Sequence, residues 1–142
     1  MDQLESIPID VDPASALTGN LLPLLHELRH ALRRFTETGA SHTIDLSSLP
    51  MAPEEDRQLQ RILGEGEVRA SLDALGSSNI AETAIPGIWS ITHYNGDEKI
   101  VGRFLEVTDC PSLLKSQQQD LPDGIDRLEQ LILEQSPESV PG

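Results

Sequence analysis

The hydrophobic period of the chain changes at Gly64, and this change limits the possible folds more than any other feature of the sequence. Before Gly64, apolar residues recur at helical spacing, as from Leu21 through Leu28 to Phe35. After it, in residues 68–74, apolar and polar residues alternate. Strict alternation is typical of a strand with one buried and one solvated face. The sequence therefore predicts mainly helical structure before Gly64 and an antiparallel sheet in the residues that follow it.

Three segments predict helices. Residues 20–38 begin at Asn20, a good N-cap residue, and stop at Gly39, which suits the left-handed position after a helix. Residues 53–63 carry acidic side chains in their first turn, where the helix dipole favours negative charge. Residues 124–135 form a last amphipathic segment. Each of these helices can cover a sheet with its apolar stripe.

Five segments predict strands, and they lie together in the middle of the chain. They are 42–46, 67–74, 80–85, 88–94 and 100–107. Asn95-Gly96 lies between the last two and favours a two-residue type I′ hairpin, because both of its positions need positive φ. We predict an α+β fold with a mainly antiparallel sheet of four to five strands in residues 42–107, packed against two to four helices.

The length of 142 residues allows one domain of ordinary size. We assign residues 20–135 to this domain. Residues 1–19, with prolines and acids but no sustained period, predict a flexible N-terminal arm. Residues 136–142 predict a frayed tail.

The formal charge of −14 restricts the possible partners. Such a polyanion repels phosphate backbones and anionic membranes, while a basic segment is attracted to it. Cys110 is the single cysteine, so no intramolecular disulfide can form, and a reducing cytoplasmic location is expected. No apolar run approaches the roughly 20 residues of a membrane span, and we expect no signal peptide. The charge also has a plainer explanation, since it keeps a protein soluble.

Few residues suggest chemistry. His26 and His30 have the i, i+4 spacing of zinc ligands, but they lie nearly opposite the leucine stripe without a third ligand, so we predict no metal. Glu67 and Glu82 could pair as acid and base if one were buried, but we favour the plainer interpretation that they are surface or cross-strand partners of Arg69 and Arg103. We interpret Cys110 as a small apolar residue. The sequence predicts no cofactor and no catalytic residue.

Trp89 has two interpretations. A single tryptophan on a strand is either the largest core residue or an exposed anchor for a partner protein. Alternation places Trp89 and His93 on one face, and Ser90 and Tyr94 on the other. We favour the core interpretation.

Several short motifs together resemble a known family. The motifs are Ile44-Asp45-Leu46 with Leu49-Pro50, Leu63-Gly64-Glu65-Gly66-Glu67-Val68, Ile80-Ala81-Glu82-Thr83, Gly87-Ile88-Trp89 and Leu105-Glu106-Val107. Residues 21–115 are similar to the conserved region of the HupH/HyaF/HoxQ hydrogenase expression proteins, accessory factors in the assembly of nickel–iron uptake hydrogenases. The resemblance implies a non-enzymatic, chaperone-like protein without catalytic residues. It also implies a partner-binding surface made of Glu65, Glu67, Glu82, Thr83 and Trp89, with Gly64, Gly66 and Gly87 as motif glycines.

The resemblance further implies two partners. They are the hydrogenase small subunit, bound before its export, and a thioredoxin-like accessory protein. The small subunit carries a twin-arginine signal peptide, and the acidic chain suits such a basic segment. Members of this family have about twice the present length and two related halves, so a homodimer of this chain could rebuild the two-lobed surface.

Two other function classes remain open from the residues. One is a small-ligand-binding or hydrolytic domain that uses Glu67 and Glu82, which requires both carboxylates to converge in a concave site. The other is a generic acidic adaptor without a role in hydrogenase assembly.

Overall fold

The computed structural model describes residues 18–74 and 76–136. Most of the predicted arm and the tail beyond Ser136 lie outside the described residues. The chain divides into two compact units, one ending at Asp109 and the other starting at Cys110. Each unit is considered by itself.

The first unit is an α+β domain built on a five-stranded sheet, as predicted. Its elements in chain order are α1 (Leu21–Thr38), β1 (His42–Asp45), α2 (Pro53–Leu63), β2 (Arg69–Asp73), β3 (Ser77–Glu82), β4 (Ile88–Tyr94) and β5 (Ile100–Val107). The strand order is β1-β5-β4-β3-β2, and all neighbours are antiparallel. The bounds of α2, β4 and β5 agree with the sequence patterns. β1 and β2 are shorter than predicted, and β3 is shifted toward the N-terminus.

The core of this unit lies between helices α1 and α2 and one end of the sheet. Its buried strand residues are Ile44, Ile88, Leu105 and Val107, and its buried helix residues are Leu24, Leu28, Ala31, Leu59 and Leu63. The strand residues share one face, because Ile44 pairs with Leu105 and Ile88 with Val107. Burial of these aliphatic side chains is the main stabilisation of the unit.

Helix α1 ends as the sequence predicts but does not begin with a side-chain cap. Gly39 follows it with a φ of 77° and donates its N–H to the carbonyl of Phe35. Asn20 occupies the N-cap position, but its side chain makes no capping hydrogen bond. Instead its Nδ2 donates to the carbonyl of Pro50 at 2.6 Å. Asn20 therefore ties the start of α1 to the loop before α2.

The predicted two-residue hairpin at Asn95-Gly96 is wrong, because residues 95–99 connect the strands. The Asn95 side chain accepts hydrogen bonds from the N–H groups of Asp97 and Lys99, which makes an Asx turn. Glu98 donates its N–H to the carbonyl of Asn95 and takes the positive φ of 61°. The register shift at His93 and Tyr94 accommodates the longer turn.

The second unit, over its described residues 110–136, consists of short 3₁₀ turns at Ser112–Leu114 and Gln118–Asp120 followed by helix α3 (Leu121–Gln135). α3 starts three residues before the predicted 124–135 and has Pro122 in its first turn. None of its residues is buried. The expected packing of this helix on the sheet stays a prediction. Among the described helices, none is both long and apolar enough to cross a membrane.

Candidate functional site: a groove beside helix α2

Helices α1 and α2 cover one end of a sheet face and leave its other end open. A groove of about 420 Å³ lies between α2 and this open end. We call it the α2 groove. Its floor is formed by Ala81, Ser90 and Thr92, on β3 and β4. Leu59 and Leu63 of α2 form one wall. The volume lies in the range of ordinary small-ligand sites, about 300–1,000 Å³.

The groove exists because the floor side chains are small. Ala81 pairs with Ser90, and Ser90 pairs with Leu105, so a single cross-strand row passes from the floor into the core. Thr92 pairs with Arg103 in the adjacent row. Alanine, serine and threonine cannot fill the space that leucine fills at the other end of the same face. Within this row of paired residues, the sheet face therefore changes from covered by the helices to open to solvent.

The loop after α2 and the end of β3 run side by side along the groove, which brings two of the sequence motifs together. The N–H of Gly66 bonds the carbonyl of Glu82 at 2.8 Å, and the N–H of Ala84 bonds the carbonyl of Leu63 at 2.8 Å. Gly64, Glu65, Glu82 and Thr83 all line the groove. These four of the eight predicted residues thus meet here, whereas Gly66, Glu67, Gly87 and Trp89 do not line the groove.

All three motif glycines are required by the local structure. Gly64 has a φ of 66°, in the left-handed region, and a Cβ there would lie 2.9 Å from the Cβ of Ala84. A Cβ on Gly66 would lie 2.6 Å from the carbonyl oxygen of Thr83 and 2.9 Å from Oε1 of Glu82. Gly66 therefore leaves the space in which the Glu82 carboxylate lies. Gly87, which also has positive φ, is in the turn between β3 and β4.

Glu67 lies outside the groove. The N–H of Glu82 donates to the carbonyl of Val68 at 2.9 Å, and the carbonyl of Glu82 accepts from the N–H of Gly66. Glu67 lies between these two bonded residues and bulges out of the strand pairing. It is exposed and does not line the groove. The two carboxylates of the predicted acid–base pair do not converge in this concave site.

Two ion pairs border the groove. Arg103 on β5 binds Asp56 on α2 in a bidentate manner, at 3.1 and 3.0 Å, and both side chains are 30% exposed. Arg69 pairs with Glu65 at the more exposed side. The interpretation of these arginines as partners of Glu67 and Glu82 is therefore wrong. Within the described residues, the Glu82 side chain forms neither an ion pair nor a hydrogen bond.

Thr83 and Trp89 are buried. The hydroxyl of Thr83 donates to the carbonyl of Ile88 at 2.8 Å, which closes the turn between β3 and β4. Trp89 is 6% exposed, and its Nε1–H donates to the carbonyl of Thr108 at 3.2 Å. The structure thus agrees with a packing role for Trp89, and its role in partner binding stays a prediction.

Among the acids of the described residues, Glu55 has the most strongly shifted pKa, and its contacts stabilise the fold. The side chain is 3% exposed and lies at the third position of α2. Its carboxylate accepts from the hydroxyl of Thr18 at 2.6 Å and from the N–H groups of Thr18, Gly19 and Ala52. The Thr18 hydroxyl and these N–H groups lower the pKa of Glu55 from 4.5 to about 2. Glu55 therefore holds the segment before α1 against the start of α2.

The other sequence candidates are not assembled into a site. His26 and His30 are exposed on α1, and the described part of the chain has no group of three or more potential ligands that could hold a metal ion. Cys110 is partly buried and lies 3.7 Å from the carbonyl oxygen of Pro111.

Comparison with known proteins decides the family. The family model of the HupH hydrogenase expression protein, C-terminal conserved region, matches residues 18–134. The chain belongs to this family. It is 37% identical over 114 residues to the hydrogenase expression/formation protein HoxQ of Azotobacter vinelandii, which covers 79% of this chain and 40% of HoxQ. It is 32% identical over 116 residues to HupH of Rhizobium leguminosarum, covering 82% and 41%.

A solved structure supports the fold. The hydrogenase expression protein HupH from Thiobacillus denitrificans is 39% identical and superposes with a TM-score of 0.79, over 84% of this chain and 99% of that one. The chain spans about 40% of the length of HoxQ from Azotobacter vinelandii. The predicted family and the predicted α+β fold are thus confirmed.

Sequence reasoning missed most of the polar residues of the groove, among them Asp56, Ser90, Thr92 and Arg103. The alternation along β4 places Ser90, Thr92 and Tyr94 on one face. The sequence could therefore have predicted a strand face that carries three hydroxyl groups. The pair of Asp56 and Arg103 was not predictable, because 47 residues separate them.

Proposed function

We propose that this chain is a non-enzymatic accessory factor in the maturation of nickel–iron hydrogenase, and that it binds the small subunit or its accessory proteins through the α2 groove. Membership of the hydrogenase expression protein family supports the maturation role. The single observation that supports the groove is the meeting of Gly64-Glu65 with Glu82-Thr83 around one open concavity. These are motif residues by which the family resemblance is recognised.

The charge of the chain supports a basic partner segment. The chain carries a formal charge of −14, and two acidic residues of the motif border the groove, Glu65 and Glu82. A small subunit with a basic leader is attracted to such a surface before export. A thioredoxin-like accessory protein acts alongside in this scheme. Cytoplasmic action follows from binding the subunit before it leaves that compartment.

A non-catalytic role agrees with the chemistry of the groove. General acid–base work needs a titratable group whose pKa is tuned by burial or by neighbours. The one strongly shifted carboxylate, among the described residues, is Glu55, and four hydrogen bonds from the backbone and Thr18 occupy it. The hydrolytic alternative with Glu67 and Glu82 loses its support, since Glu67 does not line the groove.

Affinity capture from hydrogen-oxidising cells tests this function. The tagged wild-type chain is compared with a double variant, Glu65→Gln with Glu82→Gln, and with a charge-matched control, Glu37→Gln with Asp97→Asn. We expect the wild type and the control to recover the hydrogenase small subunit, and the groove variant to recover at least about fivefold less, since charge-assisted contacts are the strong ones. Recovery should also fall between about 0.05 M and about 0.5 M salt, where screening shortens the range of charge interactions.

Two outcomes would contradict the proposal. If no preparation recovers a hydrogenase subunit, the chain is a generic acidic adaptor. If the groove variant recovers as much as the control, the partner binds elsewhere. Trp89→Ala is unsuited to this test, because the loss of a buried indole changes stability as well as any surface.

A further inference from the structure

Helix α3 carries a large exposed apolar surface. The helix has 15 residues and none of them is buried. Every leucine and isoleucine in it has between 41% and 61% of its surface exposed: Leu121, Ile125, Leu128, Leu131, Ile132 and Leu133. Contiguous exposed apolar surface of this kind marks an interaction site, because its contact with water is unfavourable.

The spacing of four of these residues indicates what covers them. Leu121, Ile125, Leu128 and Ile132 follow one another at intervals of four, three and four residues. We call these four residues the α3 seam. Their spacing is the a/d alternation of a coiled coil, with isoleucine at both a positions and leucine at both d positions. β-branched residues at a with leucine at d favour a parallel pair of helices. A second copy of this chain supplies such a helix.

The surface of α3 also has a matching recess. Leu128, Leu131, Ile132 and Gln135 line a concavity on the helix together with Ser136. The first four lie at positions i, i+3, i+4 and i+7, the set of four residues that surrounds one inserted side chain in a coiled coil. In a parallel pair, the inserted side chain is Ile132 of the second copy. The recess therefore fits a residue that α3 itself provides.

The charges of α3 allow two copies to approach along the seam. In a parallel pair, Glu129 at position e faces Gly124 at position g of the second copy, so no like charges meet beside the seam. The other charged residues of the helix lie at positions b, c and f, away from the seam: Asp123, Asp126, Arg127 and Glu134. The formal charge of −14 still repels a second copy at longer range, and salt screens this repulsion.

We propose that two copies of the chain associate through the α3 seam as a parallel pair of helices. The seam covers about two heptads, which is short for a coiled coil, so the dimer dissociates readily on dilution. The proposal goes beyond the maturation role and does not depend on it. It predicts that salt strengthens self-association, whereas salt weakens the binding of a basic partner segment.

Sedimentation velocity of the full chain tests the dimer. Between about 10 µM and about 1 mM protein, we expect the mass to rise from 15.5 kDa toward twice this value. The rise should begin at lower protein concentration in about 0.5 M salt than in about 0.05 M salt.

Two leucine variants separate the seam from the rest of the helix. Leu128→Gln changes a seam residue that is 59% exposed, and Leu133→Gln changes a residue at position b that is 61% exposed. Glutamine and leucine have similar helix propensities, and circular dichroism shows whether the helices are kept. We expect dimerisation to weaken at least about tenfold for Leu128→Gln, because a dimer loses two buried leucines, and by less than about twofold for Leu133→Gln.

Cysteine cross-linking tests the parallel orientation. Gln135→Cys at position d and Gln130→Cys at position f are each made in a Cys110→Ala background and exposed to oxidised glutathione. A disulfide requires Cα atoms within about 7 Å, and only position 135 meets its own copy across a parallel seam. We expect a covalent dimer for Gln135→Cys and a monomer for Gln130→Cys.

Three outcomes would overturn the proposal: a monomer at every concentration, equal weakening in the two leucine variants, or no covalent dimer for Gln135→Cys. The first would mean that a different surface covers α3, and the last that the helices do not pair in parallel. None of these outcomes affects the maturation role, which depends on capture of the small subunit. Conversely, a dimer without such capture would contradict the maturation role and leave the α3 seam in place.

Discussion

The two ends of one sheet face differ sharply, although the same strands build both. At the closed end, Leu105 and Val107 are 2% and 0% exposed beneath α1 and α2. At the open end, the same strand β5 carries Arg103, and β4 carries Ser90 and Thr92. The packed end supplies the apolar burial that holds the domain together. The open end contributes little to that burial and leaves a concavity.

One end of the sheet face thus stabilises the fold, and the other end of the same face is available for binding. Polar residues that line an open groove are free of the packing constraint that a core imposes on side-chain shape. Helix α2 belongs to both ends, since Leu59 and Leu63 contact the core and also form the wall of the groove. A rigid wall of this kind positions a binding site better than a loop does. The closed end therefore acts as the support of the open one.

The largest effect should come from Leu105→Ala, compared with Ser90→Ala at the position directly opposite. Leu105 is 2% exposed, and removal of a buried leucine side chain lowers the free energy of unfolding by about 2–5 kcal/mol. Ser90→Ala should change it by less than about 0.5 kcal/mol, because the Ser90 hydroxyl has no hydrogen-bonding partner within the described residues. Urea unfolding followed by tryptophan fluorescence measures both. Similar losses for the two variants would show that the groove floor belongs to the core.

Much of this contrast follows from sequence patterns. The alternation in β4 and β5 predicts both strands with their bounds, and the leucine stripe predicts α1. Contacts between distant segments were not predictable. Asp56 meets Arg103 across 47 residues, and Glu55 meets Thr18 across 37. Hydrophobic period reports which face of an element is buried, but it carries no information on which polar groups meet after folding.

The turn at Asn95 shows a second limit of sequence reasoning. An Asn-Gly pair strongly favours a two-residue hairpin turn. Here the Asn95 side chain bonds two backbone N–H groups further along, and the register of β4 with β5 fixes a longer loop. The tertiary pairing of the strands overrides the local preference.

Glu55→Gln should have a smaller effect on the free energy of unfolding, and this effect should depend on pH. Glu55 anchors α2, the helix that both ends of the sheet face share. Its pKa lies at about 2 in the folded protein, below the ordinary 4.5. A carboxyl group with a lowered pKa stabilises the fold fully above its unfolded pKa, and this contribution is lost as the pH falls toward the folded value. The difference in unfolding free energy between wild type and Glu55→Gln should therefore be largest above pH ~5 and shrink as the pH falls toward ~2. Urea unfolding at several pH values measures it.

Glu54→Gln is the matched control for this experiment. Glu54 is the neighbouring acid on α2, and hydrogen bonds from Arg57 and Arg61 lower its pKa as well. Its contacts are exposed ion pairs, so salt should reduce their effect, whereas the buried contacts of Glu55 with Thr18 and Gly19 should resist salt. A Glu55 effect that disappears in high salt, or that stays constant across the pH range, would contradict its role as a buried anchor.

The ion pair of Arg103 with Asp56, at the border between the two ends, should contribute least to the free energy of unfolding. Arg103 and Asp56 form a bidentate contact but are each 30% exposed, so solvent screens much of their attraction. A double-mutant cycle with Asp56→Asn and Arg103→Gln should give a coupling of about 0.5–1 kcal/mol in the free energy of unfolding, and it should decrease in salt. A coupling above about 2 kcal/mol would mean that this pair belongs energetically to the closed end, because only desolvated pairs reach such values. The border between core and groove would then lie one cross-strand row further toward Tyr94.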